Sequence, residues 1–168
     1  MIRLSGMVIA KNEAKRIGAC LDSLSFCDEI LVIDSGSTDG TLDIVRSKGA
    51  ILIERAFAGM NDQKDFGREH AQGEWVLNLD ADEVVTPELR DEIRTAIDDP
   101  RFSAYRIPFR NHFRDSWVRR CGYYPDHHIR LVKRTRASWD KTFPAHDRVL
   151  VDGEVGALAG HIDHFSFE

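Results

Sequence analysis

Short apolar runs alternate with amphipathic stretches through residues 1–100 of the chain. Leu4 to Ile9, Ile30 to Ile33, Ala50 to Ile53 and Trp75 to Leu79 have the length and composition of buried strands. After the first, Ile17, Cys20, Leu21 and Leu24 recur at helical spacing behind Asn12, a residue type that caps helices. Thr41 to Lys48 predicts a helix stopped by Gly49 as a left-handed C-cap, and Asn61 to Ala71 another closed by Gly73. Thr86-Pro87-Glu88 combines a cap, a first-turn proline and a first-turn acid, so a helix follows with Leu89, Ile93 and Ile97 inward. This alternation predicts an α/β fold with a mostly parallel sheet covered by helices on both faces. Ligands gather at the carboxyl ends of such strands. Lys11-Asn12, Asp34, Asp80 and Asp82 all fall there.

Past Pro100 the pattern changes. Tyr105, Ile107 and Phe109 alternate with Arg106 and Arg110, which predicts a half-exposed strand, and Ile129 to Arg134 and Arg148 to Val151 look similar. Trp117 to His128, aromatic and basic, reads as loop. The second half is therefore expected to be mixed and loop-rich, and no linker divides the chain. A single domain over 1–168 follows.

Asp80-Ala81-Asp82 carries the candidate chemistry. Strand alternation sends both carboxylates to one side at a strand tip, where a hard divalent cation bridging to phosphate oxygens makes their closeness favourable. The competing reading is a strand that runs out into an acidic turn.

Composition narrows the class. With 42% hydrophobic and 30% charged residues, the chain has the make-up of a soluble globular protein. No apolar run reaches the roughly 20 residues of a membrane-spanning helix, and the start lacks a secretory signal pattern. Cys20, Cys27 and Cys121 fit neither a zinc spacing nor a disulfide framework, which points to buried small side chains in a reducing cytoplasm. Residues 101–136 hold ten Lys or Arg against Asp115 and Asp126, while the whole chain carries −5. Such asymmetry fits an anionic partner (a phosphorylated saccharide, a diphosphate or an anionic membrane) or a solvated face of mixed charge. Nucleic acid is not among the expected partners.

Four segments stand in an order and spacing that resembles the family 2 glycosyltransferases. They are Val8 to Glu13, Ile33 to Thr41, Lys64-Asp65-Phe66-Gly67 with Ala71-Gln72-Gly73-Glu74, and Leu79-Asp80-Ala81-Asp82. The resemblance implies the GT-A nucleotide-diphospho-sugar transferase fold. It makes 1–100 the nucleotide-sugar-binding half and 101–168 the acceptor-side half. Gly122-Tyr123-Tyr124-Pro125-Asp126, Arg130-Leu131, Ala145-His146-Asp147 and His161 to Phe165 are similar to a bacterial branch that transfers glucose or related sugars to the lipopolysaccharide core. Relatives continue past a position like Phe167, which implies a short member or a C-terminally truncated chain.

By resemblance, the reaction is inverting transfer from a nucleoside-diphosphate sugar (UDP-glucose-like) to a saccharide or lipid-linked saccharide. Asp82 holds Mg²⁺ or Mn²⁺, Asp80 helps hold ion and ribose, and His164 or His161 completes the shell. Ile9, Ala10, Asn12, Glu13, Asp34 and Ser35 supply the nucleotide's floor and hydrogen-bonding edge, and Lys64 adds a cation for the diphosphate. Asp147 is the general base for the acceptor hydroxyl, with Asp126 in reserve. Here Asp34-Ser35 stands where the family often has two acids, Lys64 where it usually has Arg, and Asp147 where the branch tends to Glu. Asp39 is expected to cap a helix, and Glu13 either serves a helix dipole or touches substrate. Trp117, Tyr123 and Tyr124 stack on sugars or close a core edge. The enzyme is expected in the cytoplasm, peripheral at the inner face of the cell membrane through its basic half. Two other readings compete. One is a non-catalytic nucleotide-sugar or saccharide binding module. The other is a haloacid-dehalogenase-type phosphatase with Asp80 as nucleophile, although no later Gly-Asp-x-x-x-Asp cluster is present. No Gly-x-Gly-x-x-Gly follows the first strand, which sets a dinucleotide site aside.

Overall fold

A computed structural model describes residues 1–99, 101–113, 116–118, 124–143 and 146–167. Its first half follows the predicted alternation: β1 (Leu4–Ala10), α1 (Ile17–Ser23), β2 (Glu29–Asp34), α2 (Thr41–Ser47), β3 (Ile51–Glu54), α3 (Met60–His70) and β4 (Trp75–Asp80). The four strands lie in the order β3-β2-β1-β4, all parallel. Gly49, at φ 72°, ends α2 as expected. Gly67 lets α3 press on the sheet, since a Cβ there would collide with the Met7 side chain. α4 (Pro87–Ala96) starts where Thr86 accepts from the Leu89 amide, and it buries Leu89 and Ile93.

The second half departs from the loop-rich expectation. β5 (Glu83–Val85), β6 (Phe102–Phe113), β7 (Ser116–Trp117), β8 (Asp126–Lys133), β11 (Glu154–Ala157) and β12 (Ile162–Phe167) join the same sheet. Its order continues β4-β8-β6-β12-β5. The twelve-residue β6 is buried on both faces along much of its length, because β8 and β12 flank it and side chains pack above and below. Trp117 and Asp126 to His128, expected in a loop, are strand residues. Gly122, Tyr123, Cys121 and Ala145 lie outside the described residues. β9 (Ala137–Trp139) and β10 (Val149–Val151) form a separate antiparallel pair.

That pair is clasped by α3. The Asn61 amide nitrogen donates to the carbonyls of Asp140, Phe143 and His146 at 3.1, 2.7 and 3.1 Å. Asp65, buried, accepts from the Trp139 amide and the Arg68 guanidinium and meets Lys141 at 3.0 Å. Burial raises the Asp65 pKa, but its cationic and amide partners outweigh that and leave it lowered. The carboxylate's contribution is therefore complete above the unfolded value of about 3.9 and is lost as pH falls toward the folded value. Asp65→Asn is expected to cost about 2 kcal/mol at neutral pH, and the gap to wild type should narrow steadily as pH falls below about 3.9 in a series of urea melts. A gap that persists in acid would contradict this account.

Among the described residues, four of the ten cations in 101–136 are paired with acids within the fold. Arg101 pairs with Asp99, Arg110 with Asp163, Arg136 with Asp152, and Arg130 with three acids. Arg114, Arg119 and Arg120 lie outside the described residues. Cys20 is fully buried and Cys27 packs against the core, which raises both thiol pKa values. Among the described residues no helix is long and apolar enough to cross a membrane.

Candidate functional site

Parallel register brings three strand tips together. Ala10 stands opposite Asp34, and Ile9 opposite both Ile33 and Asp80. A cleft of about 490 Å³ opens over these tips. Ile9, Ala10, Glu13, Ser35, Asp80, Asp82 and His164 line it, as do Lys11, Ala81, Gln63, Phe57 and Met60.

Two loops build one wall. Asn12 does not cap α1, whose first turn follows Arg16. Instead its backbone sits at φ 56° and it bridges to the β2–α2 loop. Its amide donates to Ser37 Oγ at 2.8 Å, and its Oδ1 accepts from the Thr38 amide at 2.8 Å. Asp34 is fully buried, accepting from the Gly36 and Ser37 amides at 2.8 and 2.7 Å and from Ser37 Oγ at 2.5 Å. It shapes the wall from behind and does not line the cleft. Asp39 accepts from the Thr41 amide and hydroxyl, tying down the start of α2, and from the Ala14 amide. Glu13 faces the cleft, where burial and then the Asp82 charge raise its pKa.

The floor is a buried charge network. Lys64, 1% exposed, contacts Asp80 Oδ1 at 2.9 Å and Asp147 Oδ2 at 2.5 Å. Arg130, 5% exposed, contacts Glu83 Oε1 and Asp147 Oδ2 at 2.6 Å each and Asp80 Oδ2 at 3.1 Å. Lys64 thus lies beneath the cleft and not on its surface. Asp147 is likewise held by two cations and lies outside the cleft lining, with its Oδ1 buried and unpaired. Three carboxylates face two cations, so the cluster carries one acid more than it can balance. The pKa values reflect this. Burial raises the Asp80 pKa, but Lys64 and Arg130 override it and hold the group well below the usual carboxylate range. Burial pushes Glu83 up to about 8, Arg130 opposes, and the Asp80 charge adds to the rise.

The paired aspartates do not follow strand alternation. β4 ends at Asp80, and Ala81 and Asp82 form a turn into β5. Asp80 therefore leans into the network while Asp82 turns toward β12. There His164 sits directly across from Glu83 on one side and Asn111 on the other. Asp82, Glu83 and His164 each offer a ligand atom, all within 4.8 Å of one another. His164 Nε2 lies 3.4 Å from Asp82 Oδ2; burial lowers its pKa, but the Asp82 carboxylate outweighs this and raises it. His161 belongs elsewhere, 3.2 Å from the Tyr124 hydroxyl and away from the cleft lining. Asp126 opens β8, with Oδ1 3.0 Å from His128 Nε2 and Oδ2 3.3 Å from the Asn111 amide nitrogen.

Glu83, Arg130, Asn111, Gln63, Phe57 and Met60 received no role from sequence reasoning. Glu83 adjoins the acidic pair and Arg130 lies in a quoted motif, so both carried a signal. The others have none that is local.

The sequence pattern of Glycosyl transferase family 2 matches residues 5–148. The chain is 33% identical to an uncharacterized glycosyltransferase of Rickettsia prowazekii, over 99% of this chain and 61% of that protein. It is 31% identical to the lipopolysaccharide core biosynthesis glycosyltransferase LpsC of Rhizobium meliloti, over 96% of this chain and 63% of that one. It thus spans about three fifths of the length of these relatives. TarS of S. aureus in complex with UDP-GlcNAc shares the fold at TM-score 0.70 and 18% identity, over 99% of this chain and 59% of that chain. A mannosyltransferase of Pyrobaculum calidifontis in complex with GDP-Man and Mn²⁺ matches at TM-score 0.53 and 30% identity, over 62% and 34%. The phosphatase reading falls with these matches, because the strands ahead of Asp80 belong to the same sheet and the same family pattern. The chain has the GT-A fold and belongs to glycosyl transferase family 2.

Proposed function

We propose that this chain transfers a sugar from a nucleoside-diphosphate donor, UDP-glucose-like, to a saccharide or lipid-linked saccharide, with inversion and with a divalent metal. The kinship with LpsC favours an acceptor of the lipopolysaccharide-core kind. The observation that carries the reading is the cleft over the strand tips, edged by Asp82 and His164 above a floor of buried, paired charges. Two carboxylates and an imidazole within reach of one another fit a hard divalent ion. Asp82 and His164 would hold it, with Glu83 behind them. Bound there, Mg²⁺ or Mn²⁺ supplies Lewis-acid stabilisation of the leaving diphosphate. Ile9, Ala10 and Ser35 form the nucleotide floor, while Asn12 and Asp34 hold the loops that shape it. Asp80, oriented by Lys64 and Arg130, presents its exposed edge to the donor. Asp147 is read as part of that orienting network, and Asp126, with both oxygens engaged, as a support for β12. Neither is placed as the general base.

A thermal-shift series with UDP, GDP, CDP and their sugars, each with Mn²⁺ or EDTA, tests this. Stabilisation should require nucleotide and metal together. Stabilisation indifferent to both would overturn the proposal. Metal-dependent binding with neither transfer nor donor hydrolysis would make the chain a binding module.

A further inference from the structure

We propose that Asn111, itself aimed by Asp126, is a positioning residue that fixes the tautomer of His164, so that its Nε2 lone pair points at Asp82. Asp126 is acceptor-only when ionised, and the Asn111 group facing its Oδ2 at 3.3 Å must therefore be the amide NH₂. With the nitrogen committed on that side, the amide oxygen is the atom that meets His164 Nδ1, at 2.8 Å. A carbonyl oxygen only accepts, so Nδ1 carries the proton. Asp82 Oδ2 competes for a proton on Nε2, but only from 3.4 Å, so in the neutral ring the shorter Asn111 contact keeps the proton on Nδ1 and leaves Nε2 bare. Orienting a metal-facing imidazole through its other nitrogen is a general device.

The surrounding structure holds this chain in register. Asn111 is directly opposite His164 on the neighbouring strand and is buried, and Asp126 faces Phe109 on the next strand over. His128 Nε2 anchors Asp126 Oδ1 at 3.0 Å. The Phe109 ring packs at 4.6 Å from the His128 ring and 5.8 Å from the His164 ring, restricting both. A slip of β12 by one residue would turn His164 to the opposite face and break its contacts with Asn111 and Asp82.

The tautomer is a property of the metal-free protein. The consequence for metal affinity rests on the function proposed above. The experiment is a two-bond ¹H–¹⁵N correlation on ¹⁵N-histidine-labelled protein without metal, at alkaline pH where the imidazoles are neutral. His164 should show a protonated Nδ1 and a bare Nε2, the reverse of the preference of a free histidine side chain in water. Asn111→Ala should shift it toward the Nε2–H form and weaken Mn²⁺ binding, measured by titration calorimetry, by about 10–100-fold. Asn111→Asp keeps an acceptor opposite Nδ1 and should restore the tautomer. Asp126→Asn, which frees the amide to flip, should give a mixture. An Nε2–H form in wild type, or an unchanged tautomer in Asn111→Ala, overturns the inference. Should Asn111→Ala fail to fold, the wild-type spectrum and Asp126→Asn still decide. If wild type shows the Nδ1–H form but binds no Mn²⁺ with or without nucleotide, the proposed function fails and the positioning role stands.

Discussion

Asp82→Ala is expected to abolish Mn²⁺-dependent stabilisation by nucleotide and to lower sugar transfer by about 10³-fold, roughly 4 kcal/mol of transition-state stabilisation. Asp80 is taken up by Lys64 and Arg130, and Glu83 by Arg130, so Asp82 is the carboxylate least satisfied by the protein's own cations. Its contact with His164, at 3.4 Å, is the loosest of the cluster. Without metal, removing Asp82 takes away a negative charge that repels its neighbour Glu13 across the cleft. The metal-free melting temperature should therefore stay level or rise. A loss of transfer accompanied by a fall in metal-free stability would instead mark Asp82 as structural, and full activity in the variant would sink the metal assignment.

Arg130→Met is expected to destabilise the fold by about 3–5 kcal/mol, read as a lowered urea midpoint at unchanged slope. The guanidinium is nearly inaccessible and contacts Asp80, Glu83 and Asp147, with its carbon 5.1 Å from the Phe109 ring centroid. Methionine fills comparable volume, which isolates the loss of charge from the loss of packing. Removing one partner of a buried ionic cluster leaves the others uncompensated in low dielectric, and that penalty exceeds the net worth of the pairs. Glu83→Gln in the same background should recover part of the loss by deleting one stranded acid, a coupling that a double-mutant cycle would expose. Lysine is not a conservative replacement, because only the planar fork reaches three carboxylates at once. A cost below about 1 kcal/mol would mean that water or proton uptake already neutralises the acids.

The parallel half was legible because its determinants are local. Apolar runs of strand length, amphipathic periodicity and the Gly49 and Thr86 signals each act within a few residues, and the structure places α2 and α4 where they indicated. The mixed half was legible in part: the strands expected around Tyr105 to Phe109, Ile129 to Arg134 and Arg148 to Val151 are there as β6, β8 and β10, while the others carried no clear signal. β5, β11 and β12 are short and carry polar residues because their burial is supplied by neighbours across the sheet and not by their own periodicity. The same limit applies to the expected site residues. Asn12 has the residue type of a helix cap, yet Ser37 and Thr38 claim it from the next loop. Lys64, Asp34 and Asp147 have the residue types of ligand-binding groups, yet partners distant in sequence bury or tie them down.

The amino-acid sequence by itself determined the family pattern, the βα alternation and the position of Asp80 and Asp82 at a strand tip, since these depend on residue type and spacing alone. The tertiary structure decided which charges meet. It set Lys64 and Arg130 against Asp80, His164 between Glu83 and Asn111, and Asp126 behind Asn111. Coulomb energies and hydrogen-bond directions depend on distance in space, and strand register from separate parts of the chain sets that distance.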